Sequence, residues 1–483
     1  MRGDFSRDSF QPAAGFSRVL SQQGRIGLDA ETNEAQSIQL HLLRTLAADL
    51  VGPYAAVGSG FNITGSNTLH WDFLIQPGRY YVDGWPCQNA VAVAWQGDDD
   101  HPRQPWTAEP AQPPQLEAGT YLAYLEVWER HLSAVEHDGM LARAVPGALR
   151  EVALGGVDTA SRAQLIWQVR HARFPAGTPT PTGPLTDVQW NEWAFRLRAG
   201  RGIATSSPLM VVKAAEPGIG DPDPCVVSPR AAYRGQENHL YRVEICRGDS
   251  GALRGGPPAT FVWSRDNGST VLAVESIAGA DVRLATGWRD AASAIGVGDH
   301  VEISSPALRL DPGPGPIRRV VGYDPDSLTL TLNSAAGVDA SRVADGVVVR
   351  RWDHVAAKPE TGVPPIANDN ALTLLEGRWL TLEDGISIYF GDDRPQPPAG
   401  PGLPPIVRLP AHYRRGDYWL FEARADLGDV ICPRSDADPP KPLPMPPHGV
   451  ERHLAPLAAV TFAVDGAPTI VDLRRKIVPV HQP

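Results

Sequence analysis

Glycine and proline punctuate this chain so densely that most segments between them are short. There are 47 of each, 94 in 483 residues. Proline fixes φ and removes a backbone donor, and both residues favour turns, so this punctuation suits many short strands rather than long helices. One stretch escapes it, running over residues 30–51 and stopping at Gly52-Pro53. The spacing predicts the one strong helix there, capped by Asp29, with Glu31 and Glu34 in a first turn that favours negative charge. Ile38, Leu42 and Leu46 form one apolar row; Leu43, Ala47 and Leu50 form a second beside it. His41, Arg44 and Asp49 are left for the polar side. A face this wide needs a partner surface. Two partners are open: the chain's own body, or a helix bundle with another subunit or a neighbouring protein. Ahead of the helix lies an expected extended arm. Together they define an expected assembly interface of Phe5, Arg7, Phe16, Ile38, Leu42, Leu43, Leu46 and Leu50.

Beyond residue 53 the pattern turns to strands. Residues 74–84 read as strand, turn, strand. Residues 121–131 carry apolar groups on both faces, which places them in the middle of a sheet or sandwich. Residues 165–170 and 240–245 are similar. Asn267-Gly268, between residues 261–263 and 270–272, is a hairpin signal, because Asn-Gly tolerates the positive φ angles of a type I′ turn. Short strands at close spacing from 279 to 353 predict a small β-barrel. Pro-rich links lie near 96–118, 175–187, 216–229, 358–366 and 433–447. The fold class expected is mainly β: a multi-domain β-sandwich and small-barrel body with one N-terminal α-helix and an extended arm. Its expected parts are 1–53 (arm and docking helix), 54–278 (main β domain), 279–353 (barrel) and 354–483 (a C-terminal β segment that can rejoin the main sheet).

Charge and composition narrow the function classes. A net charge of −11 argues against a general binder of nucleic acid or anionic membranes. No apolar run of 18 residues predicts membrane insertion. The start of the chain lacks the hydrophobic core of a signal peptide, so synthesis in the cytoplasm is expected. Cys87, Cys225, Cys246 and Cys432 lie far apart, without zinc spacing, and are expected as reduced thiols. Asp98-Asp99-Asp100-His101 lacks the spaced oxygens of a calcium loop and reads as a solvated turn. His131 with Glu136-His137 is not a zinc-protease pattern, and His448 with Arg452-His453 reads as structural. With no nucleophile elbow and no phosphate loop, no catalytic, cofactor or metal residue is assigned, and the protein is expected not to be an enzyme. Of the tryptophans, Trp128, Trp167 and Trp263 lie in strands and are expected in the core. Trp190 and Trp193 are expected to be partly exposed, where an indole could stack on a sugar. That supports an alternative role as a glycan- or cell-surface-binding adhesin, or less favourably a glycan-acting enzyme.

Several blocks carry a resemblance. They include Gly3-Asp4-Phe5-Ser6-Arg7-Asp8, Ser17-Arg18-Val19-Leu20, Gln22-Gln23-Gly24-Arg25, Leu28-Asp29-Ala30 and Leu43-Arg44-Thr45-Leu46-Ala47-Ala48-Asp49-Leu50. Further along the chain come Gly78-Arg79-Tyr80-Tyr81-Val82-Asp83-Gly84, Glu126-Val127-Trp128-Glu129-Arg130, Ile166-Trp167-Gln168-Val169-Arg170, Trp263-Ser264-Arg265-Asp266-Asn267-Gly268-Ser269 and Gly416-Asp417-Tyr418-Trp419-Leu420. Over about residues 1–475 the chain resembles a family of uncharacterised proteins encoded in gene clusters for phage-tail-like contractile injection systems. The resemblance implies a structural part of such a particle, at the baseplate or on a fibre or spike-enclosing layer, carried in a particle that can be released from the cell. Its implied partners are further copies of itself, most simply a trimer, other baseplate or tail proteins, and a target-cell surface. It supplies no catalytic residue.

Overall fold

The computed structural model describes residues 1–65, 70–98, 100–105, 116–138, 149–175, 177–200, 208–214, 233–248, 257–311, 313–355, 363–391, 412–438 and 440–477. The protein is mainly β, with several sheets and a six-stranded barrel. Its two compact units do not coincide with consecutive blocks of sequence. Unit 1 comprises Met1–Phe5, His131–Arg162 and Thr205–Val450; unit 2 comprises Ser6–Arg130, Ala163–Ala204 and Glu451–Pro483.

Unit 2 is built on a four-stranded sheet in the order Pro468–Asp472, His453–Phe462, Gly119–Leu132, Arg162–Arg173. The strand Gly119–Leu132 is interior to this sheet, as its two apolar faces require, and residues from Leu122 to Val127 are buried along it. Glu126 sits mid-strand with no exposure, and its carboxylate accepts hydrogen bonds from Arg170 and from Arg452 at 2.6 Å. A second sheet pairs Tyr54–Val57, Gly78–Val82 and Trp85–Asn89. Its hairpin turns at Asp83 (φ 47°) and Gly84 (φ 79°), the left-handed pair that a two-residue turn demands. Trp167 meets the edge of Phe61 at 4.9 Å in the core of this unit.

Helix α1 spans Asp29–Val51 and closes on Gly52, whose N–H makes the last helical bond to the Ala48 carbonyl and whose φ of 84° then turns the chain out of the helix. Asp29 does not cap it. The Asp29 carboxylate is engaged by the Ser6 hydroxyl, and Glu31 instead reaches back to the Leu28 N–H at 3.2 Å. Helix α2 (Ala134–Asp138) is a single short turn in unit 1. Helix α3 (Asp187–Gly200), in unit 2, is an addition to the one helix expected. Its start is a reciprocal cap: Thr186 Oγ1 accepts from Gln189 N–H at 3.3 Å, and Gln189 Oε1 accepts from Thr186 N–H at 3.0 Å.

Unit 1 holds the closed barrel, whose strands run around it as Val271–Ala278, Asp281–Leu284, Thr329–Leu332, Ile317–Asp324, His300–Ser304 and Val348–Trp352. Val282, Leu284, Val301, Ile303, Val320, Leu330 and Val349 fill it. The barrel begins at Val271 rather than 279, because Val271–Ala278 is the closing strand, paired with both Asp281–Leu284 and Val348–Trp352. Beside it in sequence lies a five-stranded sheet, ordered Leu372–Thr373, Thr260–Ser264, His239–Arg247, Tyr418–Arg424, Asp429–Ile431. Asn267 and Gly268 do take positive φ, 52° and 66°, yet they close no hairpin. The strands on either side belong to different sheets, and Asn267 turns its hydrogen-bonding groups elsewhere.

Candidate assembly interface

Helix α1 sits on unit 2 partly through Arg44, one of three residues that the sequence pattern assigns to the polar side; the other two, His41 and Asp49, are exposed as expected. The Arg44 guanidinium lies 3.3 Å from the centre of the Trp85 ring and donates to Glu129 at 2.8 Å. A Cβ placed on Gly84 would come within 2.1 Å of the Arg44 carbonyl oxygen, so the hairpin turn must be glycine for the helix backbone to approach it. Ala30 and Ile38 complete the buried side. The opposite side carries Leu40, Leu42, Leu43, Leu46 and Leu50, each between 44% and 78% exposed. At 100° per residue these five fall on one stripe, interrupted only by small or neutral positions such as Gln39 and Ala47. Of the expected interface residues on the helix, Ile38 is core and cannot meet a partner; Leu42, Leu43, Leu46 and Leu50 are open.

The arm lies beside the helix. Residues 6–10 run along its first turns in the same direction: the Asn33 amide donates to the Ser6 carbonyl at 3.2 Å, the Ser9 hydroxyl to Glu34 at 2.6 Å, and the Ser37 hydroxyl to Asp8. Phe10 meets the His41 ring at 5.3 Å. Arg7 is half-buried. The chain then turns at Pro12–Ala14 and returns to Leu28, presenting Phe16, Leu20, Ile26 and Leu28 to solvent. A run of nine exposed large apolar residues within 16–50 is unusual for a surface with no partner.

The first five residues behave in the opposite way. They belong to unit 1, seated in a socket of charged groups. The Met1 amine lies 2.6 Å from Tyr418 Oη. Arg2 donates from Nη1 to both Glu302 oxygens at 3.1 and 3.0 Å, and from Nη2 to the Gly313 carbonyl at 2.9 Å; its Nε is 3.4 Å from Glu244. Gly3 and Asn267 exchange two bonds of 2.9 Å, Gly3 N–H to the Asn267 carbonyl and Asn267 Nδ2 to the Gly3 carbonyl. Arg242 donates to the Met1 carbonyl at 2.8 Å, and its guanidinium lies over the Tyr418 ring. Gly3 faces the His131 ring so closely that a Cβ there would fall 2.0 Å from it, and Phe5 packs on the same ring at 5.2 Å.

Behind Arg2 the network continues through buried groups. Glu302 accepts from Trp352 Nε1 at 3.2 Å and Gly315 N–H at 2.8 Å. Arg350 lies 3.8 Å from Glu302 and donates to Glu136 at 3.1 Å; Arg309 is 3.7 Å from Glu136. Burial works against the charge on Glu136, but Arg350 and Arg309 outweigh it and hold its pKa at about 2. The same contest, settled by Arg2 and Arg350, keeps Glu302 below the usual carboxylate range. Burial opposes the Arg2 charge too, and Glu244 and Glu302 more than restore it. Burial pushes the Met1 amine well down, with Arg242 adding to it. Burial also lowers His131 to about 4, since neither of its ring nitrogens has a hydrogen-bond partner and Glu136 approaches only to 4.0 Å.

The remaining candidates resolve into structural parts. Trp190 is 5% exposed and packs edge-on against Tyr54, and Trp193 is half-buried against Phe174. The expected partial exposure fails for Trp190, which lies in the inner row of α3 with Ala194 and Leu197 and offers no free indole face, whereas Trp193 is partly exposed. Asp98 folds onto the backbone N–H groups of Asp100 and His101, a local turn; Asp99 lies outside the described residues. His453 bonds Asp83 in unit 2. No metal-ligating cluster occurs among the described residues, and no described helix is long and apolar enough to cross a membrane. Cys87, Cys246 and Cys432 are free thiols, and Cys225 lies outside the described residues.

The architecture is that of a mainly β protein of two units interleaved in sequence, with one buried amino-terminal anchor and one exposed apolar helix. The chain belongs to DUF6519, a family of unknown function, whose profile matches residues 1–176 and 195–463. No curated protein and no solved structure matches it.

Proposed function

We propose that this protein is a non-enzymatic structural component that assembles through the leucine face of α1 and the adjoining arm, with a second copy of the chain as the partner on that face. The observation that carries this is the outward leucine face of the helix, five leucines exposed while Arg44 is turned inward. The stripe bears no charge, so two copies can meet there without like-charge repulsion even though the whole chain carries −11. Burying half-exposed leucines contributes roughly 1 kcal/mol each. The finer reading, a baseplate-associated or fibre- or spike-enclosing layer of a phage-tail-like contractile particle, rests on the sequence resemblance.

The test is to purify tagged full-length protein from its native host and image what accompanies it. The same is done with Leu42, Leu43, Leu46 and Leu50 all changed to Gln. The wild type should form homo-oligomers and be recovered in larger particles, and the variant should be folded, of lower oligomeric order and outside them. Identical recovery of the two, or a wild type that stays monomeric and alone, would overturn the proposal. Deleting residues 1–53 is a poorer test, because it also removes Arg2 from the core of unit 1.

A further inference from the structure

We infer that the socket of unit 1 is an exchange site, filled in the assembled protein by the amino-terminal pentapeptide of a second copy. This deepens the assembly reading but uses other residues, so the leucine face and the socket can fail independently. The peptide makes its hydrogen bonds through the first three residues, and all of them go to unit 1: Tyr418, Glu302, Gly313, Arg242 and Asn267. An identical peptide from another copy brings identical contacts. The chain leaves unit 1 immediately afterwards, at Phe5–Ser6. Beyond it, Ser6, Asp8 and Ser9 bond exposed or half-buried positions of α1, Phe10 packs on His41, and residues 11–28 are exposed except for half-buried Val19. Those 18 residues could extend to about 60 Å.

The charges of the socket allow it to stand open during exchange. Without the peptide it holds three carboxylates, Glu136, Glu244 and Glu302, against three guanidiniums, Arg242, Arg309 and Arg350. Withdrawing Arg2 therefore leaves no uncompensated net charge, the condition that makes broken buried pairs so costly. The third position selects the peptide, because the His131 ring excludes any side chain there.

The experiment mixes two full-length variants, Phe5→Cys and His131→Cys, each with Cys225→Ala and Cys432→Ala. The thiols left, Cys87 and Cys246, are buried with pKa values pushed well up, so they do not compete. After equilibration and oxidation, the mixture should give a covalent pair of chains at least fivefold above either variant alone. Adding Arg2→Ala to the Phe5→Cys chain should cut that yield at least tenfold. A chain carrying both cysteines provides the control. If it closes its own disulfide while the mixture gives no covalent pair, exchange is refuted. As a second measurement that needs no cysteine, a fluorescent peptide of sequence Met-Arg-Gly-Asp-Phe is offered to wild-type protein in hundredfold excess. Uptake that is lost when its arginine is replaced by alanine supports exchange, and no uptake counts against it.

Discussion

The pentapeptide Met1–Phe5 and the helix Asp29–Val51 lie close in sequence and obey opposite rules. The first is polar and charged, and Arg2 reaches the interior of unit 1. The second is rich in leucine, and five of its leucines face solvent. A charged segment is buried only when every charge finds a partner, and Arg2 finds two carboxylates and a carbonyl. A contiguous apolar face of this kind is uncommon on a surface without a partner. The difference separates an anchor, whose worth is geometric fit, from a proposed docking surface, whose worth would be area.

The sharpest way to break this comparison is inside the anchor. Glu136→Gln leaves Arg350 and Arg309 beside each other without their shared carboxylate, and should cost unit 1 about 3–5 kcal/mol in denaturant unfolding. A loss under 1 kcal/mol would mean that the network is not a buried core. The next largest effect is acid sensitivity. His131 titrates near 6.5 when unfolded and about 4 when folded, so the unfolded chain binds more protons between those values. The contribution of His131 to stability is then full above pH 6.5 and falls by about 3 kcal/mol as pH drops to 4. Glu136, held at about 2, extends the loss from pH 4.5 downward. Melting curves of His131→Phe should lose about 3 kcal/mol of the wild-type fall between pH 6.5 and 4 and keep the rest, which belongs to His354, His300, His171 and His448, all lowered by burial; a slope unchanged from wild type would remove His131 from the account. The smallest effect on folding belongs to the helix face. Leu43→Gln with Leu46→Gln should change unfolding by no more than about 0.5 kcal/mol, while shifting the oligomer on a sizing column. Marked destabilisation would show these leucines to be core residues.

Much of the strand content is legible in the sequence because alternation and turn chemistry are local. The central strand is expected over 121–131 and runs over Gly119–Leu132, and Asp384-Gly385 closes the Trp379–Thr381 and Ile386–Phe390 hairpin that its flanks suggest. Helix α3 leaves a local signal too, masked by the Pro-rich stretch before it: Thr186-x-x-Gln189 is a capping box, and Trp190, Ala194 and Leu197 repeat at helical spacing. Asn267-Gly268 misleads because a turn signal reports φ angles and not which strands pair. The orientation of α1 is illegible for a related reason. Leucine rows outvote one arginine in any amphipathic reading, and only the positions of Trp85 and Glu129 reveal that Arg44 is the inward residue. The socket is beyond reach, since Arg2 and Glu302 are 300 positions apart, though three of the motif blocks, around Gly3, Asn267 and Tyr418, are the ones that meet there.

The distance along the chain between Met1 and Tyr418 also sets an order of events during synthesis. Their contact spans 417 residues. At roughly 5–20 residues per second, the ribosome needs about 20–80 seconds to supply the tyrosine after the amino terminus has emerged. Throughout that interval the anchor has no home in its own chain, so unit 1 cannot close until most of the chain has been made.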